Sequence, residues 1–243
     1  MTTLLTCPAL PILEPTRDES AAIDRDGFVV LPGLIDPGWR AALADRFDAI
    51  LAAEGDRAGL EVHQEPGTNR LANLVDKGEI FDALWTHPRL LGLVRHVLRR
   101  PFTLSSLNAR EPKPGIGGQG LHADWALLEV GDPFQVVNSL WVLDAMDAGN
   151  GGTRLVPGSH RRSGPIQDPH PEQIVPTLQA GDVLVMNAHC WHGGTVNADG
   201  RRRRVMHGYF TAAENPLQCD FPKLLSPATR ARLTVEQLAL LRC

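Results

Sequence analysis

The sequence lacks an excess of either charge, a long apolar run and a basic leader, and each absence excludes a class of protein. It has 24 basic and 28 acidic residues, a net charge of -4, so no nucleic-acid partner is expected. No apolar run approaches the roughly 18 residues that span a bilayer. The first 15 residues contain three prolines and no basic start, which is unlike a signal peptide. We expect a cytoplasmic protein without a membrane partner, and its oligomeric state stays open.

Paired cysteines are also missing. Cys7, Cys190, Cys219 and Cys243 are widely separated and form no C-x-x-C pair. This usage is typical of free thiols in a reducing cytoplasm.

The sequence pattern changes near residue 100. Before that point apolar residues recur at helical spacing: Asp36 and Pro37 start one helix, Gly55 ends it, and Pro88 divides two more. After that point short apolar segments alternate with turns, which indicates strands. Helices followed by strands predict an α+β fold built on an antiparallel barrel or jelly roll.

The expected strands and domain limits follow from that pattern. We expect a single domain over residues 1–243, with a flexible lead-in at 1–18 and a catalytic β core at about 102–212. A short helix is expected at 235–241. The predicted strands cover residues 27–32, 102–108, 134–146, 153–157, 174–178, 183–187 and 205–211.

The stretch Gly-Leu-His-Ala-Asp at 120–124 carries the first chemical signal. His122 and Asp124 are two residues apart, and in an extended strand that spacing puts both side chains on one face. An imidazole beside a carboxylate supplies two of the three ligands in the facial triad that holds non-haem Fe(II) with open coordination positions. Such a short motif also arises by chance, so a third ligand must be sought elsewhere.

Two histidines near a glycine pair are candidates for the third ligand. His189 and His192 both follow the predicted strand at 183–187. The Asp-Gly turn at 199–200 would bring Arg203 on the returning strand beside His192. A buried arginine facing inward can hold a carboxylate with two hydrogen bonds, which suits an acidic co-substrate and favours His192.

Three segments in order carry a family resemblance. They read Gly-Leu-His-Ala-Asp-Trp at 120–125, Asn-Gly-Gly-Thr-Arg-Leu-Val-Pro-Gly-Ser-His at 150–160, and a Gly-Asp-Val-Leu-Val-Met segment with a later His, Asn and Arg at 181–203. Each resembles the corresponding segment of the phytanoyl-CoA dioxygenase-like family of Fe(II)/2-oxoglutarate-dependent oxygenases. With the family-like stretch at 26–33, the resemblance spans roughly residues 26–211.

The resemblance implies a double-stranded β-helix (jelly-roll/cupin-like) core with flanking N-terminal helices. Transferred residue by residue, it implies that His122, Asp124 and His192 bind Fe(II). It also implies that Arg203 binds the distal carboxylate of 2-oxoglutarate.

Further contacts to the co-substrate follow from the same resemblance. Trp141 matches a tryptophan that lines the co-substrate pocket, and Arg70 falls where some members place a basic contact. Gly194 stands where a hydroxyl residue often assists the arginine, so Thr195 is expected to replace it.

The expected reaction is hydroxylation of an unactivated C–H bond in a natural-product or amino-acid-like small molecule, with O2 consumed and succinate and CO2 released. Related halogenases have a small residue where this chain has Asp124, so halogenation is not expected. Desaturation, epimerisation and ring closure remain open, as do a jelly-roll metal-dependent isomerase or hydrolase and a non-catalytic binding module.

Substrate contacts are predicted from strand parity and proximity to the motif. His207 shares the parity of Arg203, and a charged substrate would use Arg110. The loops at 111–120 and 161–172 are candidate lids. The candidate substrate residues are Asn108, Arg110, Trp125 and His207.

Overall fold

The computed structural model describes residues 10–126, 129 and 131–243. The first half of the expected lead-in, with Cys7, lies outside the described residues. The helices are α1 (Arg17–Asp26), α2 (Pro37–Glu54), α3 (Ala83–Thr86), α4 (Pro88–Leu98), α5 (Phe221–Leu224), α6 (Pro227–Arg232) and α7 (Val235–Leu240). The strands are β1 (Phe28–Leu31), β2 (Thr68–Leu71), β3 (Phe102–Pro112), β4 (Val136–Val142), β5 (Thr153–Leu155), β6 (Val183–Asn187), β7 (His192–Gly194) and β8 (Val205–Ala212).

Two antiparallel sheets form the core. The larger has the strand order β1-β6-β4-β8-β3-β2, and the smaller pairs β5 with β7. Isolated bridges widen the smaller sheet by joining His122 to His192 and Ile174 to Leu155. This is the jelly-roll arrangement that the sequence predicts.

The larger sheet is covered on both faces. Every residue of β3, β4 and β6 is buried, and α4 lies against β3, β4, β6 and β8. Because side chains alternate along a strand, neighbours on β4 point to opposite faces. Trp141 packs edge-on against Trp39 and His87, each at a ring-centroid distance of 5.9 Å, whereas Leu140 lines a cavity on the inner face.

The described part of the expected lead-in, residues 10–18, contacts the helices and ends in the first turn of α1. Thr16 caps α1 with a capping box completed by Glu19, so a regular helix begins at Arg17. Upstream, the Leu13 backbone N–H donates to Pro88 O at 3.1 Å. A Cβ at Gly92 would lie 1.9 Å from Leu13 O, so a glycine is needed for this close packing on α4.

The predicted strands at 134–146 and 174–178 differ most from the structure. The strand predicted at 134–146 is confined to Val136–Val142. The segment 174–178 makes only isolated bridges, at its two ends. Pro176 lies in its middle, and a proline has no N–H to donate to a ladder.

Within the part of the chain that the structure covers, none of the helices has the length and apolar character required to cross a membrane.

Candidate metal centre and active site

Three side chains, two from residues 122 and 124 and one from the distant residue 192, meet between the two sheets. His122 Nε2 and His192 Nε2 each lie 3.6 Å from Asp124 Oδ1, and the three potential ligand atoms lie within 4.8 Å of one another. Two imidazoles and one carboxylate at these separations can share a single cation. They leave part of its coordination sphere open, as in a facial triad.

The backbone determines which nitrogen of each imidazole faces the cation site. His122 Nδ1 lies 2.9 Å from Gly120 O, and His192 Nδ1 lies 2.8 Å from Cys190 O. A carbonyl oxygen only accepts, so each Nδ1 carries the proton and donates it. Both Nε2 lone pairs are therefore directed at the cation site, as in metal centres with oriented histidines.

The two histidines are neighbours in an antiparallel bridge. The backbone N–H of each donates to the carbonyl of the other at 2.9 Å. Gly193 allows this approach, because a Cβ there would lie 2.7 Å from Gly120 O. The loop before His122 and the strand that begins at His192 are thus fixed in register.

Asp124 is oriented by contacts that leave one oxygen free. The Asn138 amide donates to Asp124 Oδ2 at 3.2 Å, and the Tyr209 hydroxyl donates to Asp124 O at 2.9 Å. The backbone N–H of Asp124 donates to Ala188 O at 2.9 Å. Oδ1 remains directed at the two imidazoles.

The alternative ligand, His189, lies outside this cluster. Its Nε2 accepts a hydrogen bond from the Gln135 backbone N–H at 3.0 Å, and its ring lies against Phe134. Burial lowers the pKa of His189 to about 4, so it is a neutral acceptor within the core.

Arg203 provides a buried cation in the same cavity. It is 1% exposed, and its Nη2 donates to Thr153 Oγ1 at 2.8 Å. Its Nε and Nη1 have no partner among the described residues. Burial, and then the nearby Arg110, lower its pKa to about 9, while Glu65 opposes the shift. Such unused guanidinium donors suit a carboxylate that arrives with a ligand.

The hydroxyl beside this arginine is Thr153, not Thr195. Thr195 Oγ1 donates to two backbone carbonyls, Ala148 O and Gly152 O, both at 3.2 Å. The expectation for Thr195 is therefore wrong, because its hydroxyl serves the turn that precedes β5.

The cavity that joins these groups has a volume of about 230 Å³. It lies on the inner face of β3, β4, β6 and β8, and β2 and the loop before it close one side. Its lining is mainly polar. The side chains that line it are His63, Arg70, Ser106, Asn108, Arg110, Gln119, His122, Asp124, Asn138, Leu140, Thr153, Met186, His192, Arg203, His207, Tyr209 and Gln218.

Two predicted pocket residues lie elsewhere. Trp141 is fully buried on the helix-covered face of β4, so the expectation that it lines the co-substrate pocket is wrong. Trp125 packs against a small apolar cluster of Val136, Ala188 and Tyr209. Its side chain is used in packing and is not part of the cavity wall.

The other predicted contacts do reach the cavity. Arg70, Asn108, Arg110 and His207 all line it. Burial and then the charge of Arg203 hold the pKa of His207 well below its usual range, so its imidazole is neutral. It is thus a hydrogen-bonding group without charge.

The backbone just before His122 is held by an ion pair. Arg154 contacts both carboxylate oxygens of Asp168, at 2.7 and 2.9 Å, and donates to Gln119 O at 2.7 Å. Asp168 Oδ2 also accepts from the Leu121 backbone N–H at 2.9 Å. Asp168 lies in the expected lid loop at 161–172. Its contacts hold the end of the other expected lid loop, at 111–120, in place.

Sequence reasoning missed several residues that shape the site. Asn138 and Tyr209 lie on strands with no motif that distinguishes them from core positions. Thr153 lies within the family-like segment at 150–160, but that resemblance assigned no role to its hydroxyl. Glu65 lies in an irregular loop, yet it forms an ion pair with Arg110. Tyr209 is the single tyrosine of the chain, the one compositional signal available.

Comparison with known proteins agrees with this geometry. The family model described as phytanoyl-CoA dioxygenase (PhyH) matches residues 23–205. The dioxygenase olcK of Penicillium canescens is 29% identical over 238 residues, covering 89% of this chain and 78% of that protein. The Fe(II)/2-oxoglutarate-dependent dioxygenase nvfF of Aspergillus novofumigatus (strain IBT 16806) is 30% identical over 192 residues, covering 72% of this chain and 64% of that protein.

Solved structures share the fold. HygX from Streptomyces hygroscopicus, crystallised with nickel and 2-oxoglutarate, has a TM-score of 0.71 at 19% identity, covering 84% of this chain and 90% of its own. The non-heme alpha ketoglutarate dependent epimerase SnoN from nogalamycin biosynthesis has a TM-score of 0.67 at 22% identity, covering 81% and 80%. Since the family model matches well over half of its length, the chain belongs to the phytanoyl-CoA dioxygenase family of Fe(II)/2-oxoglutarate-dependent oxygenases, as its motifs indicate.

Proposed function

We propose that this dioxygenase hydroxylates an unactivated C–H bond of a natural-product or amino-acid-like small molecule and releases succinate and CO2. One observation carries the proposal. A His-Asp-His cluster and a buried arginine with unused donors line the same small cavity. A metal centre alone would not need that arginine.

The residues present fit Fe(II) and 2-oxoglutarate. His122, Asp124 and His192 would hold the ion and leave positions open for other ligands. Arg203 would hold the distal carboxylate of 2-oxoglutarate through its unused Nε and Nη1. When bound, the ion and its co-substrate supply the O2 activation that no protein side chain provides.

The residues of the chain would bind and orient the metal and the co-substrate, and would exclude water. The carbonyls of Gly120 and Cys190 fix the imidazoles before any ligand arrives, and Thr153 fixes the guanidinium. Preorganisation of this kind lowers the cost of assembling the reactive complex. Asp124 occupies the position that a halogenase leaves open, so chloride is not an expected ligand.

The competing classes make different use of Arg203. Desaturation, epimerisation and ring closure need the same metal and co-substrate. Epimerisation remains an alternative because SnoN, which shares the fold, is an epimerase. A jelly-roll isomerase or hydrolase has no evident use for a buried arginine facing an acidic co-substrate. The oxygen content of the product distinguishes desaturation, epimerisation and ring closure from hydroxylation. The Arg203→Ala variant distinguishes a jelly-roll isomerase or hydrolase from an oxygenase.

A substrate screen tests the proposal. Purified protein with Fe(II), ascorbate and 2-oxoglutarate should form succinate slowly alone and faster with a true substrate, and the product should gain one oxygen atom from 18O2. Arg203→Ala should lose the 2-oxoglutarate-dependent turnover. A product of unchanged oxygen content would contradict hydroxylation. Turnover that does not need 2-oxoglutarate would contradict the class, and the absence of succinate would favour a binding module.

A further inference from the structure

The smaller sheet forms the end of the cavity beyond the metal centre. Thr153 on β5 and Gly194 on β7 lie opposite each other in its register, so their side-chain positions share one face and are about 5 Å apart. His192 lies two residues before Gly194 on the same strand. It therefore shares that face, about 7 Å along the strand. A ligand that chelates a metal at His192 and extends along β7 thus reaches Thr153 and Gly194.

Two arginines meet at this position. Arg203 Nη2 donates to Thr153 Oγ1 at 2.8 Å. Arg110 comes from β3, and its Nη1 lies 3.2 Å from the point that a Cβ at Gly194 would occupy. Both arginines are almost fully buried and line the same cavity. The missing side chain at residue 194 therefore leaves room for the guanidinium of Arg110 beside that of Arg203.

Arg110 is held firmly and keeps one nitrogen free. Its Nε and Nη2 contact the two carboxylate oxygens of Glu65, each at 2.9 Å, and Nη2 also donates to Gly117 O at 2.5 Å. Its Nη1 has no hydrogen-bond partner among the described residues. The two-point pair fixes the plane of the guanidinium. Because Glu65 offsets the charge of Arg110, two guanidinium groups can lie close together in a buried place.

The free donors of the two arginines are complementary to one carboxylate. Arg203 contributes Nε and Nη1, which are buried without a partner among the described residues, and Arg110 contributes Nη1. Buried donors without an acceptor are unfavourable, so this arrangement favours a ligand that supplies one. Where related chains often have a hydroxyl, at residue 194, this chain thus offers a charged donor from a different strand.

We propose that Arg110 is a second arginine ligand of the distal carboxylate of 2-oxoglutarate, and that it binds through Nη1, beside Arg203, in the space left by Gly194. The inference rests on the proposed function and deepens it, because it strengthens the selection of a dicarboxylate over a 2-oxo acid with one carboxylate. It replaces the expectation that Arg110 binds a charged substrate. Glu65 is then a positioning residue that holds Arg110 in place.

The test compares two ligands of the full chain loaded with Ni(II), by calorimetric titration. 2-Oxoglutarate has the distal carboxylate, and 2-oxopentanoate is the five-carbon 2-oxo acid without it. In Arg110→Met, 2-oxoglutarate should bind about ten- to fiftyfold more weakly, because one charge-assisted hydrogen bond is lost. The affinity for 2-oxopentanoate should change by no more than about twofold. Unchanged affinity for 2-oxoglutarate would overturn the proposal.

A purely structural role for Arg110 gives a different result. If Arg110 only supports the cavity wall through Glu65 and Gly117, both ligands should lose affinity equally in Arg110→Met, and that outcome would also overturn the proposal. Arg57→Met, at an exposed arginine outside the cavity, should keep the wild-type preference for 2-oxoglutarate. A loss of preference there as large as in Arg110→Met would contradict a specific role for Arg110.

Arg110→Lys covers the case in which the methionine variant does not fold. It keeps a positive charge beside Glu65 but has no second nitrogen to offer the ligand. The preference for 2-oxoglutarate over 2-oxopentanoate should fall by at least about threefold, and an undiminished preference would contradict the proposal.

Gly194→Ala locates the effect at Nη1. The added methyl group would lie 3.2 Å from Arg110 Nη1, closer than an ordinary contact, and should displace it. The preference for 2-oxoglutarate should fall by at least about threefold in the wild-type background and no further in Arg110→Met. Equal losses in both backgrounds would overturn the inference while leaving the proposed function intact. Failure of the Ni(II)-loaded wild-type protein to bind 2-oxoglutarate would instead overturn the proposed function.

Discussion

His122 and His192 lie side by side in an antiparallel bridge, and each ring donates its Nδ1 proton to a backbone carbonyl two residues before it. The two metal-facing nitrogens are thus positioned by the backbone of two different segments. The geometry of the site therefore depends on the backbone of those two segments, as well as on the three clustered side chains.

The first prediction concerns the co-substrate. Arg203→Met should weaken 2-oxoglutarate binding about a hundredfold or more, because it removes a buried charge-assisted contact. Thr153→Val should weaken it about three- to tenfold, because one guanidinium donor loses its acceptor. The measurement is titration of Co(II)-loaded protein with 2-oxoglutarate. Thr195→Val is the matched control and should bind normally, and an equal loss in both threonine variants would contradict the assignment.

The second prediction concerns the ion pair that fastens the backbone before His122. Asp168→Asn should loosen Arg154 and the Gln119–Leu121 backbone, and thereby lower Co(II) affinity about tenfold. Glu172→Gln removes an exposed ion pair with Arg162 in the same loop. Unchanged Co(II) affinity in Asp168→Asn, or an equal loss in Glu172→Gln, would show that this ion pair does not position the ligand.

The third prediction concerns acid stability. Burial, and then the charge of Arg161, lower the pKa of His160 to about 4, and His189 has a similarly lowered pKa. The unfolded chain binds protons at these histidines below about pH 6.5, whereas the folded chain does not until about pH 4. Their contribution to stability is therefore complete above pH 6.5 and falls as the pH decreases through this window.

The size of that loss is measurable by urea unfolding. Between pH 7 and pH 5 each histidine should remove about 1–2 kcal/mol from the free energy of unfolding. His160→Gln should therefore lose less stability over this interval than wild type. If the variant and wild type lose the same amount, His160 is not a buried neutral group.

The sequence was sufficient for the fold class and for the His-Asp-His cluster because both leave local signals. Helix caps such as Asp36 and the change from helical to strand spacing define the α+β order. The His-x-Asp spacing and the later His192 and Arg203 form a recognisable sequence pattern. In the structure these four side chains line one cavity. The antiparallel sheets then follow from short strands joined by tight turns.

Other features depend on contacts that no local pattern reports. Trp141 matches a family tryptophan that lines the co-substrate pocket. Because side chains alternate along β4, its ring points to the helix-covered face instead. Thr153 approaches Arg203 only because the smaller sheet faces the larger one. The pairing of Glu65 with Arg110 joins a loop to a strand 45 residues away. The contact of Leu13 with Gly92 likewise joins segments that are far apart in the sequence.

The most direct test of the central claim is the absorption spectrum recorded as Fe(II) and then 2-oxoglutarate are added without oxygen. Chelation of 2-oxoglutarate to iron held by His122, Asp124 and His192 predicts a visible charge-transfer band in wild type and none in a folded Asp124→Ala variant. A wild-type protein without the band, or a variant that keeps it at full strength, would contradict the account.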